Sequence, residues 1–393
     1  MADHIPNVTG DEAAGLASRY FGDSIHARVP LNRAPKLSAA LPKSRKLWVD
    51  SCFDGFDDVE SRRSKLVGDK NNWFDFMSEF QTFDSFCLCL GSPVQATVNA
   101  MVNELLDQCA LHKPSWISVP QLPIVDGADR NKINRALAKA TGNWKSSNGF
   151  SGRLILPLIF MHQKQLTKKT ERNPKVQQAE KCYHDAHADG FWVVDQSLVD
   201  DSGSATLRQK RFPGILSLHE ELNDRIPSKL KLGGPYWGLN IVLWAKGLIE
   251  SPLIGVGSGY NYFVSGGKVR PPSARIAIPA LRRRVKVTPE LSKWLDNAMS
   301  RLSASHPARS EFADIKKNLT LFQDTTRAKE QVASFYKNWY DGIASVPSTG
   351  RSMALFQDLS AAYALGKSLP PFADEGTARR PESVAEPLML SCL

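Results

Sequence analysis

Long apolar runs are missing from this chain. No segment of its 393 residues approaches the roughly 18 uninterrupted apolar positions of a membrane-spanning helix, so no membrane partner is expected. The opening Met1-Ala2-Asp3-His4 has neither the basic nor the apolar stretch of a secretory leader. Cysteine is scarce: Cys52, Cys87, Cys89, Cys109, Cys182 and Cys392 are too few and too scattered for a disulfide scaffold, and several sit in apolar runs, which points to a reducing cytoplasm. Metal-binding spacing is also missing. There is no Cys-x-x-Cys pair, and Cys182 and His184 do not share a helix face as i, i+4 partners do, so no metal is expected. The chain lacks a Walker A loop, a dinucleotide fingerprint opening a helix, and a Gly-x-Ser-x-Gly elbow. These absences exclude nucleotide hydrolysis and serine-hydrolase chemistry and leave no cofactor to expect.

The residues present are those of an ordinary globular protein, with 42% hydrophobic and 23% charged positions. The net charge is +10, which favours an anionic partner, with nucleic acid, tRNA or DNA, the leading candidate. From residue 45 onward the chain alternates short apolar runs with amphipathic stretches. Eight runs read as strands: Lys46–Asp50, Phe86–Leu90, Trp116–Pro120, Arg153–Phe160, Phe191–Asp195, Leu230–Gly233, Pro252–Val256 and Arg275–Pro279. Helices are predicted between them, at Val94–Leu111, Asp129–Ala140, Pro174–Ala188, Gly214–Arg225 and Leu239–Ile249. Continuously apolar strands suit a parallel sheet buried on both faces. Eight strands over the 242 positions 45–286 suit a (β/α)8 TIM barrel, which takes roughly 250 residues. A doubly wound open sheet fits the same periodicity. Residues 1–44 read as an N-terminal lead-in, 287–369 as a helical C-terminal region and 370–393 as a flexible tail.

Barrel active sites lie at the carboxyl ends of the strands. Collecting the residues there gives Asp50 and Ser51 with Asp54, Gly91 and Ser92 with Gln95, Gln121 with Asp126, His162 and Gln163, Asp195 and Gln196, Gly233 and Gly234 with Tyr236 and Trp237, and Ser258 with Tyr260. Carboxylates and amides that read an edge, beside rings that stack on a face, suit a flat polar heterocycle, and a sugar also fits. Asp50 and Asp195 each end an apolar run and are expected to face one pore mouth, where a carboxylate pair divides nucleophile and base duties. Each is equally readable as half of a structural ion pair. Gly257, Ser258 and Gly259 follow the seventh run and offer backbone N–H groups to a phosphate, or simply make a tight turn. Seven cations occur without an acid between 268 and 286, namely Lys268, Arg270, Arg275, Arg282, Arg283, Arg284 and Lys286. That strip is expected to meet a phosphate backbone, or an acidic protein. A second basic run is Lys164, Lys168, Lys169, Arg172 and Lys175.

Some of these residues resemble the tRNA-guanine transglycosylase superfamily, including its relatives that place deazaguanines in DNA. Asp50-Ser51, followed by Phe53 and Phe56, is similar to that family's Asp-Ser-Gly-Gly-Phe-Gln segment, and Phe160-Met161-His162-Gln163 is similar to the strand end bearing its base-reading glutamine. Lys231 through Ile249 resembles the unit before the family's nucleophile strand. Cys52 and Phe53 replace the paired glycines, Asp195-Gln196 stands where the family has Gly-Gly, the nucleophile position falls near Ile254 or Gly255, and the family's zinc insertion is missing. The resemblance implies a barrel that binds or exchanges a purine or 7-deazaguanine-type base. On that reading Asp195 attacks or stabilises the ribosyl carbon, Asp50 handles the proton, Gln121 and Gln163 read the base edge, and Tyr236 or Tyr260 stacks on it. Two alternatives stand beside it. One is a catalytically degenerate barrel that docks nucleic acid, or a protein partner through its helical C-terminal region. The other is a barrel enzyme acting on a phosphorylated metabolite.

Overall fold

The computed structural model describes residues 4–56, 73–125, 127–161, 166–198, 210–256, 260, 273–373 and 379–393. Its centre is a closed barrel of eight strands, β1 Ile5–Asn7, β2 His26–Pro30, β3 Lys46–Asp50, β4 Trp116–Ser118, β5 Arg153–Phe160, β6 Gly190–Asp195, β7 Leu230–Gly233 and β8 Ser251–Gly255. Every pairing is parallel, and β8 closes on β1 through Leu253 beside Ile5. Helices alternate with the strands on the outside: α1 Asp11–Tyr20, α2 Ala34–Ala40, α3 Trp73–Ser78, α4 Phe83–Leu88, α5 Gln95–Ala110, α6 Ala128–Asn148, α7 Lys169–Asp185, α8 Phe212–Arg225 and α9 Leu239–Ala245. This is a (β/α)8 TIM barrel. A hairpin, β9 Arg275–Ile278 with β10 Arg283–Lys286, and four helices, α10 Pro289–Ser300, α11 Pro307–Lys317, α12 Thr325–Ala344 and α13 Arg351–Ser368, form the C-terminal appendix, followed by α14 Ala385–Cys392.

The expected strand count is right, but two of its members are wrong. Phe86–Leu90 falls largely in α4, because Phe53, Phe56, Phe83 and Phe86 meet in an aromatic cluster with ring centroids 4.6–5.5 Å apart. A run of five apolar residues serves a helix buried in such a cluster as well as a strand. Arg275–Pro279 pairs antiparallel with β10, outside the barrel. The two missing strands come from residues 1–44, so that segment is no lead-in: the barrel starts at Ile5 and ends at Gly255. β1 and β2 are short and carry Asn7, His26 and Arg28, polar side chains that break the apolar signature.

Successive strand residues face opposite sides of a sheet, and residues paired side by side face the same side. Trp48 donates from Nε1 to Ser118 Oγ at 2.9 Å across the barrel interior. Pairing carries that inward face from Ser118 to Ile155 and on to Gly190, and two residues further to Trp192. Trp192 meets Trp48 edge-on at 5.4 Å and donates to Gly234 O at 2.6 Å. Bulky indoles therefore plug the centre of the barrel, and any ligand space lies above them.

The outward positions, such as Val49, Leu156, Phe191 and Ile254, bury against the helices. The appendix has its own core around Ile276, Leu281, Val285, Trp294, Leu295 and Phe312. α12 bridges the two cores, with Ala328 in the appendix core and Val332, Phe335 and Tyr336 in the barrel core. Salt bridges tie α12 to the first barrel helix, among them Arg19 with Glu330 and Lys329 with Glu12. The expected flexible tail also needs correction. Its last turn-and-helix buries Val384, Ala385 and Leu388 completely, an apolar stripe that a mobile segment would leave in water.

Candidate functional site

Three strand ends build one polar cluster at the barrel mouth. Asn7 on β1 pairs with Arg28 on β2, which pairs with Trp48 two residues before Asp50 on β3, so all three polar side chains face the lumen. Arg28 donates from Nη1 to Asn7 Oδ1 at 2.5 Å and from Nη2 to Asp50 Oδ2. Its guanidinium lies 4.8 Å above the Trp192 ring. Asp50 Oδ1 accepts from the Cys52 N–H at 3.1 Å, and the Cys52 sulfur is 3.8 Å from both Arg28 Nη2 and Asp50 Oδ2. Cys52 takes a φ of +52°, a left-handed turn that brings its N–H back onto the carboxylate. Arg28 and Asp50 are 2% and 3% exposed, so each side chain has the other as its partner in place of water. Arg28 and Asn7 were not among the expected site residues. Their signal was a buried-looking cation and amide inside two short apolar runs, visible only once those runs are known to be strands.

Asp195 does not share that mouth. Trp192 faces inward, and Asp195, three residues later and beside Phe160, belongs to the face turned toward the helices. Its Oδ1 accepts from Ser197 N at 2.8 Å and from Ser197 Oγ at 2.6 Å, stapling the turn after β6. Arg211, at the start of α8, donates to Ser197 O. Burial pushes the Asp195 carboxyl above its ordinary value, partly opposed by the Ser197 bonds and Arg211. The expectation that Asp50 and Asp195 face one pore is therefore wrong, because an odd step along β6 reverses the side.

Other expected site residues are engaged in packing. Gln121 spends its amide N–H groups on Pro120 O and Asn134 O at 2.8 and 3.0 Å. Tyr236 is fully buried and its hydroxyl accepts from the Asp195 N–H at 2.6 Å, so it braces the β6 end and does not stack on a ligand. Trp237 donates to Arg282 O at 2.8 Å and lies among Phe335, Tyr336 and Trp339. Tyr260 is covered by the Arg284 guanidinium at 4.5 Å, and burial raises its hydroxyl well above the usual range. Gly233 faces outward against Ile249 and His219, and Gly234 has φ +93° with the Asn240 amide where a Cβ would sit. Ser51 is buried, its hydroxyl without a partner among the described residues. Gln196 is half-buried and continues the ladder, donating from its N–H to Phe160 O at 2.9 Å. His162, Gln163, Asp126, Gly257, Ser258, Gly259, Lys268 and Arg270 lie outside the described residues.

The arginine strip is not an open cationic surface. Arg282 pairs with Asp358, Arg283 is fully buried over Phe372 and donates to Arg380 O, and Arg284 is 5% exposed over Trp237 and Tyr260. Each guanidinium holds the appendix together or to the barrel instead of meeting a phosphate. Arg172 and Lys175 of the second run are also buried, Arg172 against Glu221. Among the described residues no group of three His, Cys, Asp or Glu is placed to hold a metal ion, and no helix is long and apolar enough to cross a membrane. Neither protein-family models nor curated proteins give a match to the chain. What the fold and the cluster define is a parallel barrel with a buried ion pair at the carboxyl ends of its first strands.

Proposed function

We propose that this chain is a transglycosylase-like barrel that takes a purine-type base, of the guanine or 7-deazaguanine class, at its mouth. Asp50 would be the carboxylate that accepts from the ring N–H and amino groups of the base, with Arg28 as its fixed counter-ion. The observation that carries this reading is the Arg28–Asp50 pair, which holds one carboxylate toward the lumen at the strand ends, where barrel sites form. Tethering by Arg28, itself held by Asn7, and by the Cys52 N–H fixes that carboxylate before a ligand arrives, which lowers the ordering cost of binding.

Base exchange asks for a nucleophile besides the reader. The outward turn of Asp195 favours a second reading, in which the mouth binds a base, free or on tRNA or DNA, without exchanging it. Calorimetry with 7-deazaguanine, guanine and adenine tests the binding step, and incorporation of labelled guanine into tRNA or duplex DNA tests exchange. Binding of the two guanine-like bases but not adenine, lost in a folded Asp50→Asn variant, supports the site. Absence of heat with all three bases overturns it. Incorporation that survives Asp195→Asn would place the chemistry on other residues.

A further inference from the structure

We propose that the appendix carries a second binding site, for an uncharged planar heterocycle with two adjacent hydrogen-bond acceptors on one edge. The site is a groove of about 450 Å³ between the β9–β10 turn and one face of α12. Pro279 and Arg282 form one wall, and Ser334, Phe335, Asn338 and Trp339 form the other. Its volume is in the range of small-molecule sites, about 300–1,000 Å³. Positions 334, 335, 338 and 339 recur at helical spacing, so two aromatic rings and two short polar side chains line one strip. Phe335 and Trp339 stack at 5.8 Å and 25°, and Trp237, which follows β7, stacks on Phe335 at 5.8 Å and 30°. An aromatic column thus runs from the groove to the barrel.

Arg282 gives the groove its selectivity. A guanidinium has five N–H donors. Here Nε and Nη2 bind the two oxygens of Asp358 at 2.7 and 2.5 Å, and Nη1 binds Pro279 O at 2.6 Å. Each terminal nitrogen therefore retains one N–H with no partner among the described residues. The guanidinium sits over both rings, 5.6 Å from Phe335 and 5.7 Å from Trp339, and Asp358 is itself anchored by Trp339 Nε1 at 2.9 Å. A fork held this firmly is suited to a ligand that presents two neighbouring acceptors. Its charge is already matched by Asp358, with the Glu311 carboxylate close enough to add to the negative field. An anion would therefore gain little there, while a neutral ring gains apolar contact and two hydrogen bonds. A 6-oxopurine, with its O6 and N7 side by side, has that edge, whereas adenine has a donor at position 6.

This site stands apart from the proposed base site at the mouth, and one experiment separates the two. Equilibrium dialysis of the full chain with labelled inosine, guanosine, adenosine and 7-deazaguanosine reads the groove. The same dialysis of a folded Asp50→Asn variant, which loses the reading carboxylate of the mouth, leaves only the groove to read. Inosine and guanosine are expected to bind saturably. Adenosine and 7-deazaguanosine are expected to bind roughly tenfold more weakly, the cost of one lost partner of a bidentate pair. Asn338→Trp, at an exposed position, fills the groove and is expected to weaken inosine binding at least tenfold while circular dichroism stays unchanged. Three results would overturn the proposal: no saturable inosine binding, equal binding of adenosine, or inosine binding indifferent to Asn338→Trp. Loss of inosine binding in folded Asp50→Asn would also overturn it, by moving the nucleoside to the mouth.

Discussion

Arg28 and Asp50 sit on adjacent parallel strands, two residues out of register, and their side chains close on one another inside the barrel mouth. Both are almost wholly buried, so the pair behaves as a unit. Removing one partner strands a charge in a low-dielectric interior. Arg28→Met is expected to destabilise the protein by about 3–5 kcal/mol, read from urea midpoints. Arg28→Met with Asp50→Leu should recover most of that loss. A double-variant loss equal to the sum of the two single losses would show that the pair is not coupled.

Asp195 should act as a staple and not as a reagent. One oxygen takes both bonds from Ser197, so Asp195→Asn keeps an acceptor in place and should cost little. Asp195→Ala removes both bonds and should cost about 1–3 kcal/mol. Base binding measured by calorimetry should be unchanged in both. A binding loss in Asp195→Asn at full stability would return this carboxylate to the site.

His219 on α8 predicts a pH dependence. It is fully buried, neither ring nitrogen has a partner among the described residues, and burial together with Lys231 holds the imidazole down to about 3, from an ordinary 6.5. As pH falls below about 6.5 the unfolded chain takes up a proton that the folded chain refuses. Stability should therefore fall toward pH 3, by up to about 1.4 kcal/mol per pH unit from this group. His219→Met should flatten that part of the profile, as urea midpoints at pH 7.5, 6 and 5 would show. An unchanged slope would assign the acid sensitivity elsewhere.

The C-terminal helix should be structural. Leu388 packs on Gly238 at the start of α9, where a Cβ would come within 2.3 Å of it, and Ser352 on α13 donates to Cys392 O at 2.8 Å. Deleting residues 384–393 removes Val384 and Leu388, and each fully buried side chain contributes about 1.5–3 kcal/mol. The truncated chain should unfold at lower urea and be cut faster by protease. Unaltered midpoints would make the helix an accessory.

The barrel was legible where strands are long and apolar. Arg153–Phe160 and the run ending at Asp195 are buried on both faces, so their composition announces a parallel sheet. Ile5–Asn7 and His26–Pro30 were not legible, because three to five residues bearing Asn7, His26 and Arg28 carry no periodic signal. Of the site, Asp50 could be read from its place at a strand end. Its partner could not, since 22 residues separate Arg28 from Asp50 along the chain and only the pairing of β2 with β3 brings them together.

The sequence by itself determined the alternation of strand and helix, six of the eight barrel strands and the helical C-terminal region, because these follow from local hydrophobic periodicity. Tertiary structure alone decided which runs close the ring, that Asp195 turns away from Asp50, and that Arg282, Arg283 and Arg284 hold the appendix together instead of meeting solvent. Register decides which face a carboxylate occupies, and one residue reverses it. Burial decides whether an arginine is a surface charge or an internal clasp, and it depends on aromatic rings and carboxylates brought from distant parts of the chain.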